Sequence, residues 1–155
     1  ICWSDGACTS LLLAANRPDI VSKVFASGAF SNIDGFTEEE KEFWTSVTPE
    51  MVKQSWGDWH IEYQRQYPET DWTKSLQDIR EMVNDEVYIS EEKLKSIKSK
   101  VLLAYGDRDI YTLEHIVYLH RTIPGSQLLI LPDTGHTTFD EQPELMSLSI
   151  KRFFE

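Results

Sequence analysis

Cysteine is scarce in this sequence, two in 155 residues, and both fall within the first eight positions as Cys2 and Cys8. The pattern around them puts Cys2 on a strand and Cys8 one turn into the following helix. That is a poor geometry for a disulfide, so both are expected as reduced thiols of a cytoplasmic protein. Long apolar runs are missing as well. No stretch approaches the roughly 18 residues of a membrane span, and nothing reads as a signal peptide. Positive charge is in short supply, 15 Lys and Arg against 26 Asp and Glu, for a net charge of −11. Nucleic-acid phosphates and an anionic membrane surface would both be repelled, so neither is an expected partner. No pair of His or Cys has metal-ligand spacing with a carboxylate nearby, and no metal or cofactor is expected. Internal repeats and low-complexity tracts are absent, as is an initial Met.

What is present has a globular composition, 41% hydrophobic and 26% charged, at a length that suits one domain with a real core. The outer parts of the chain alternate short β-like runs with helix-like segments. Residues 5–16 read as a small-residue helix, and residues 21–30 as a strand closing on Gly28. The apolar start of VLLAYGDRD, residues 101–109, predicts a strand covered on both faces. A helix follows with Leu113, Ile116, Val117 and His120 on one face, stopping at Pro124-Gly125. QLLILPDTGH, residues 127–136, is another expected buried strand running into a loop. The final helix places Met146, Ile150 and Phe153 at i, i+4 and i+7. Strands alternating with helices predict an α/β fold, a parallel sheet flanked by helices.

The middle reads differently. Thr37 with Glu40 three positions on is a plausible capping box, and Thr48-Pro49 is a second helix start. Val52, Trp56, Trp59 and Tyr63 form one helical stripe; Trp72, Leu76, Ile79 and Val83 form another. A Glu91–Lys95 pair marks a third helical piece. Residues 34–98 are therefore expected as a helical cap laid over a core made of residues 1–33 and 99–155. This middle portion carries much of the negative charge, with 16 acidic against 9 basic side chains in residues 31–100.

Ser4 lies in Cys2-Trp3-Ser4-Asp5-Gly6, a G-x-S-x-G pattern with Cys in place of the first Gly. Small residues two before and two after the serine let the chain turn sharply from strand to helix and hold the hydroxyl exposed. The Asp5 N–H at the helix start would then face a developing oxyanion. An ordinary helix N-cap serine would carry the same residues. Two later stretches favour chemistry: Gly106-Asp107-Arg108-Asp109 after one buried strand, and Gly135-His136 in the loop after the next. A serine, an acid and a histidine in that order, each at the C-terminal end of a strand, is one arrangement of a catalytic triad. His60, His115 and His120 sit on or beside helices, where structural or solvent roles are expected.

On these residues the chain resembles the α/β-hydrolase superfamily from the nucleophile elbow onward, with CWSDGACTSLLLAANRPDIVSKVFASGAF, GDRD and PDTGH as the matching segments. It is most similar to the small serine esterases of the proline iminopeptidase, lactonase and valacyclovir-hydrolase-like kind. The resemblance implies the C-terminal half of that fold with a helical cap, and a serine hydrolase acting on a small-molecule ester, lactone or related acyl substrate. It implies Ser4 as nucleophile, His136 as base and Asp109 as the orienting acid, with Asp107 and Asp34 as rivals for the last role. It also implies strands and a second oxyanion-donor loop ahead of the elbow, so these 155 residues are expected to be a fragment. A relative that binds a ligand without chemistry is the competing expectation.

Overall fold

In the computed structural model, residues 1–83 and 88–155 are described, without the side chains of Trp56, Trp59, Met82 and Val83. The stripe positions Trp56, Trp59 and Val83 therefore lie outside the described residues. Four parallel strands form one sheet in the order β1-β2-β3-β4: Cys2–Trp3, Lys23–Ser27, Lys100–Gly106 and Gln127–Leu131. β2 and β3 occupy the middle of that order. After their first residue they are buried at every position, the near-continuous apolar run that a strand covered on both faces requires. β4 departs from the expected buried strand. It ends the sheet order, and Gln127 and Ile130 are exposed, because an edge strand has a neighbour on one side only.

Side-chain alternation sorts the core into two layers. Val24, Ala26, Val101, Leu103 and Tyr105 share one cluster with Ala7, Cys8, Leu11 and Ala14 of α1 (Asp5–Asn16). Phe25, Leu102, Ala104 and Leu131 point the other way, onto Met146 and Phe153 of the last helix, α8 (Pro143–Phe154). Here the i, i+7 pair expected from sequence is buried, with Ile150 packed against the same cluster.

Between β2 and β3 the chain makes a short 3₁₀ turn at Ile33–Gly35 and then the helices α2 (Glu38–Ser46), α3 (Pro49–Gln66), α4 (Trp72–Val83) and α5 (Glu91–Ser96). Thr37 and Thr48 each accept a backbone N–H from the third residue on, the capping expected of them. α3 is interrupted at Gly57, whose φ of 47° leaves the helical region. Val47, Val52 and Leu76 bury each other in a cluster with Phe43, Trp44 and Trp72. Ile89, Leu94 and Ile97 instead join the main core.

α6 (Leu113–Thr122) follows β3, and its inward face is not the expected one. His115, Ile116 and Leu119 are buried while Leu113 is 57% exposed. The physical reason is a hydrogen bond: the Ser31 N–H donates to His115 Nε2 at 3.1 Å, which lets a polar ring hold a core position. α7 (Thr138–Glu141) is a single turn between β4 and α8.

Candidate active site

The carboxyl ends of the four parallel strands lie along one end of the sheet, and β1, β3 and β4 are each followed within a few residues by one predicted site residue. That end of a parallel sheet is where open α/β folds bind ligands. Ser4 follows β1 directly with φ 55° and ψ −127°, a conformation that costs an L-residue about 1–3 kcal/mol and survives only when its surroundings impose it. The imposing contact is visible: the Ser4 N–H donates to the Ser27 carbonyl on the neighbouring strand at 2.8 Å. Although Ser4 occupies the N-cap position of α1, its side chain makes no capping bond. Its hydroxyl instead lies 3.0 Å from His136 Nε2.

His136 Nδ1 is 2.8 Å from Asp109 Oδ1. The Asp109 side chain is fully buried, and its carboxylate also accepts the N–H groups of Ile110 at 2.8 Å and Gly106 at 3.4 Å. A carboxylate held this way accepts only, so Nδ1 carries the ring proton and Nε2 presents its lone pair to the Ser4 hydroxyl. Asp107, by contrast, is exposed and takes the Thr134 N–H at 3.1 Å, a bond that holds its carboxyl below the usual range. Asp34 sits near His115, whose midpoint burial lowers to about 4 against the opposing pull of that carboxylate. Of the three acids weighed from sequence, the described structure pairs Asp109 with His136.

Close approach around the imidazole requires a glycine. Gly28 has φ 65°, and a Cβ there would stand 2.6 Å from His136 Cε1. Gly106 is needed likewise, since its Cβ would meet the Thr134 carbonyl oxygen at 2.0 Å. Trp3 donates its indole N–H to the His136 carbonyl at 2.8 Å, with the two rings 5.1 Å apart. Tyr111 meets the same imidazole edge-on at 5.5 Å. Asp5 is the first residue of α1, so its N–H is among those no helical carbonyl takes. Its carboxylate accepts the Tyr88 hydroxyl at 2.9 Å, and Tyr88 stacks on Phe30.

Ser4 and His136 open onto a cavity of about 760 Å³ walled chiefly by Trp3, Phe30, Phe36, Phe43, Trp44, Ile79, Ile110 and Tyr111. Three carboxylates, Asp5, Glu40 and Asp140, also line it, and among the described lining residues there is no lysine or arginine. Glu40 is pushed above its ordinary range by burial, against the Trp44 indole and His136, which draw it back. Sequence reasoning read Glu40 as a capping residue. Its backbone N–H does serve the Thr37 cap, while its side chain turns to the cavity. Cys8 is buried, exchanges bonds with the Phe30 backbone, and has its thiol pushed up to about 12 by burial. Such a thiol is inert. Among the described residues no group of three or more His, Cys, Asp or Glu could hold a metal ion. No helix of the described residues is long and apolar enough to cross a membrane.

The parallel sheet with helices on both faces is a partial α/β-hydrolase fold. A meta-cleavage product hydrolase from Pseudomonas fluorescens superposes with a TM-score of 0.77 at 17% identity, covering 99% of this chain and 62% of that one. Among curated proteins, the serine hydrolase BPHL of Homo sapiens is 22% identical over 143 residues, 86% of this chain and 46% of that protein. The uncharacterized hydrolase YugF of Bacillus subtilis is 38% identical over 65 residues, 41% of this chain and 24% of that protein. The chain thus spans about a quarter and just under half of the lengths of these two relatives. No protein-family model matches it.

Proposed function

We propose that this chain carries the reacting residues of a serine hydrolase that cleaves carboxylic esters, lactones or related acyl compounds through a covalent acyl-enzyme. One observation carries the reading: an unbroken hydrogen-bond line from Ser4 Oγ to His136 Nε2, 3.0 Å, and from His136 Nδ1 to Asp109, 2.8 Å. The relatives, hydrolases by name, support the reaction class.

In this mechanism Ser4 Oγ attacks the substrate carbonyl carbon while His136 Nε2 takes the hydroxyl proton. Negative charge gathers on the carbonyl oxygen, towards which the Asp5 N–H and the N-terminus of α1 contribute. When the tetrahedral centre collapses, the bond to the leaving oxygen breaks and that oxygen receives the proton from His136. Water then attacks the acyl-Ser4 ester, gives its proton to Nε2, and the acid product departs as Ser4 recovers the proton. Asp109, bonded to Nδ1, keeps the ring in the one tautomer that can accept from serine.

The cavity narrows the substrate. A volume of about 760 Å³ suits a small molecule, and aromatic walls with no lysine or arginine among the described lining residues favour an apolar acyl part without negative charge. α2 and α4 supply Glu40, Phe43, Trp44 and Ile79 to that wall, which is the part a cap would play. The direct test is a fluorophosphonate probe on the natural-length protein. Ser4 is expected to take the label and Ser4→Ala to prevent it. A folded protein that labels elsewhere, or not at all, removes the covalent mechanism and leaves a ligand-binding cavity.

A further inference from the structure

We propose that Trp3 is a positioning residue for His136: its indole N–H, donated to the His136 carbonyl, ties the histidine loop to the strand that ends in Ser4. The inference rests on the reading of Ser4 and His136 as the reacting pair. It assigns a function to the residue between Cys2 and Ser4, which the elbow pattern leaves unspecified.

His136 stands five residues beyond β4, on a loop that must hold Nε2 within hydrogen-bond reach of a hydroxyl at the other end of the sheet order. Some ties of that loop run to the β3 side, where the Thr134 N–H reaches Asp107 at 3.1 Å and the Arg108 N–H reaches the Thr134 carbonyl at 2.9 Å. Others stay within the loop and its own short helix: the Gly135 N–H and the Thr137 hydroxyl both reach Glu141, at 2.9 and 2.7 Å. Neither set fixes the distance to Ser4.

Trp3 bridges that gap. Its N–H meets the carbonyl of His136 itself at 2.8 Å across 133 positions of sequence. Its ring lies 5.1 Å from the imidazole at 38°. Ser4 is the next residue, so a single peptide unit joins the Cα that carries the indole to the Cα that carries the nucleophile. A second bond supports the same junction. Ser27 is the register partner of Trp3 on β2, and its hydroxyl pairs with that of Thr138, two residues after His136, at 2.7 Å. Two adjacent strand ends thus grip the segment 136–138. Trp3 is 43% exposed, and its ring and N–H both meet the histidine.

The decisive change removes the N–H and keeps an aromatic side chain. Trp3→Phe in the natural-length protein is expected to lower kcat on an activated aryl ester about 10- to 100-fold, since a misplacement of about 1 Å at the reacting pair has such effects. KM should stay within about threefold. Replacing Trp3 by benzothienylalanine, which exchanges only the N–H for sulfur, should reproduce the loss in a protein of unchanged shape. Solution NMR gives a readout without turnover: the downfield proton between His136 and Asp109 should broaden or vanish in both variants. Loss of kcat at constant KM, or loss of that proton signal, sustains the proposal. Variants that keep both the wild-type kcat and the wild-type signal overturn it. A wild-type protein with no esterase activity and no Ser4 labelling would sink the hydrolase reading instead, and the proton signal would still decide whether Trp3 holds the histidine.

Discussion

At the scale of single residues, the site depends as much on an absent side chain as on those present. Gly28 stands with φ 65° against the imidazole, and an added methyl would meet Cε1 at 2.6 Å and Nδ1 at 3.0 Å. Both are ring atoms of a side chain pinned at Nδ1 and Nε2, so His136 must yield by moving away from Asp109 or Ser4. Gly28→Ala is expected to lower kcat about 100-fold. The backbone conformation itself should cost a further 1–2 kcal/mol or so of stability. Steady-state kinetics beside a denaturation curve separates the two effects, and an undiminished kcat would show that the ring has room to give. Ser4, Asp109 and His136 could be read from sequence because each follows a strand and each is a chemically capable type in a fixed order. The same pattern could not choose among Asp107, Asp109 and Asp34. That choice rests on which carboxylate the turn after β3 buries beneath the imidazole. Trp3 and Glu40 were illegible in their observed positions for a related reason. The partner of Trp3 is 133 positions away, and Glu40 already had a local explanation in the Thr37 cap.

At the scale of elements, the sheet and its flanking helices were legible because β2 and β3 are chiefly apolar runs and the capping residues Thr37 and Thr48 mark helix starts. The face of α6 was not, because counting apolar residues cannot reveal that His115 has a backbone donor waiting in the core. Neither could the edge position of β4 be read, since strand order is a property of the assembled sheet. A seam between two connecting segments closes the site from below: the Thr37 N–H reaches the Ile110 carbonyl at 2.9 Å and the Thr112 N–H reaches the Gly35 carbonyl at 2.8 Å, with Phe36 and Tyr111 bridged between them. Thr112 also caps α6 through its hydroxyl, which accepts the His115 N–H at 3.3 Å. Replacing it by alanine should cost about 1 kcal/mol, the usual value of such a cap. Urea unfolding at constant m-value would register the loss as a lower midpoint. Because the backbone half of the seam survives, kcat should change far less than stability, and a large fall in kcat would mean that the hydroxyl itself supports the cavity.

At the scale of the whole molecule, the buried imidazole of His115 ties folding to pH. Burial lowers its midpoint to about 4 from an ordinary 6.5, with Asp34 opposing the shift, and its Nε2 is occupied as an acceptor of the Ser31 N–H at 3.1 Å. A protonated ring would lose that acceptor and carry its charge at a buried position of α6. The unfolded chain takes the proton first as pH falls, so stability rises with pH wherever the unfolded state binds more protons. The contribution of His115 is therefore complete above about pH 6.5 and is lost progressively between about 6.5 and 4. With those two midpoints the linkage relation gives a loss of roughly 2 kcal/mol between pH 8 and pH 5. His115→Gln offers a control, because its amide oxygen can still accept the Ser31 N–H while the group no longer titrates. The variant is expected to be the less stable protein at pH 7, through imperfect packing, and to approach the wild type at pH 5 as the wild type alone pays for protonation. Denaturant midpoints at the two pH values decide the matter. A stability gap of the same size at both would mean that His115 takes no proton on unfolding and that the acid sensitivity of the fold lies elsewhere.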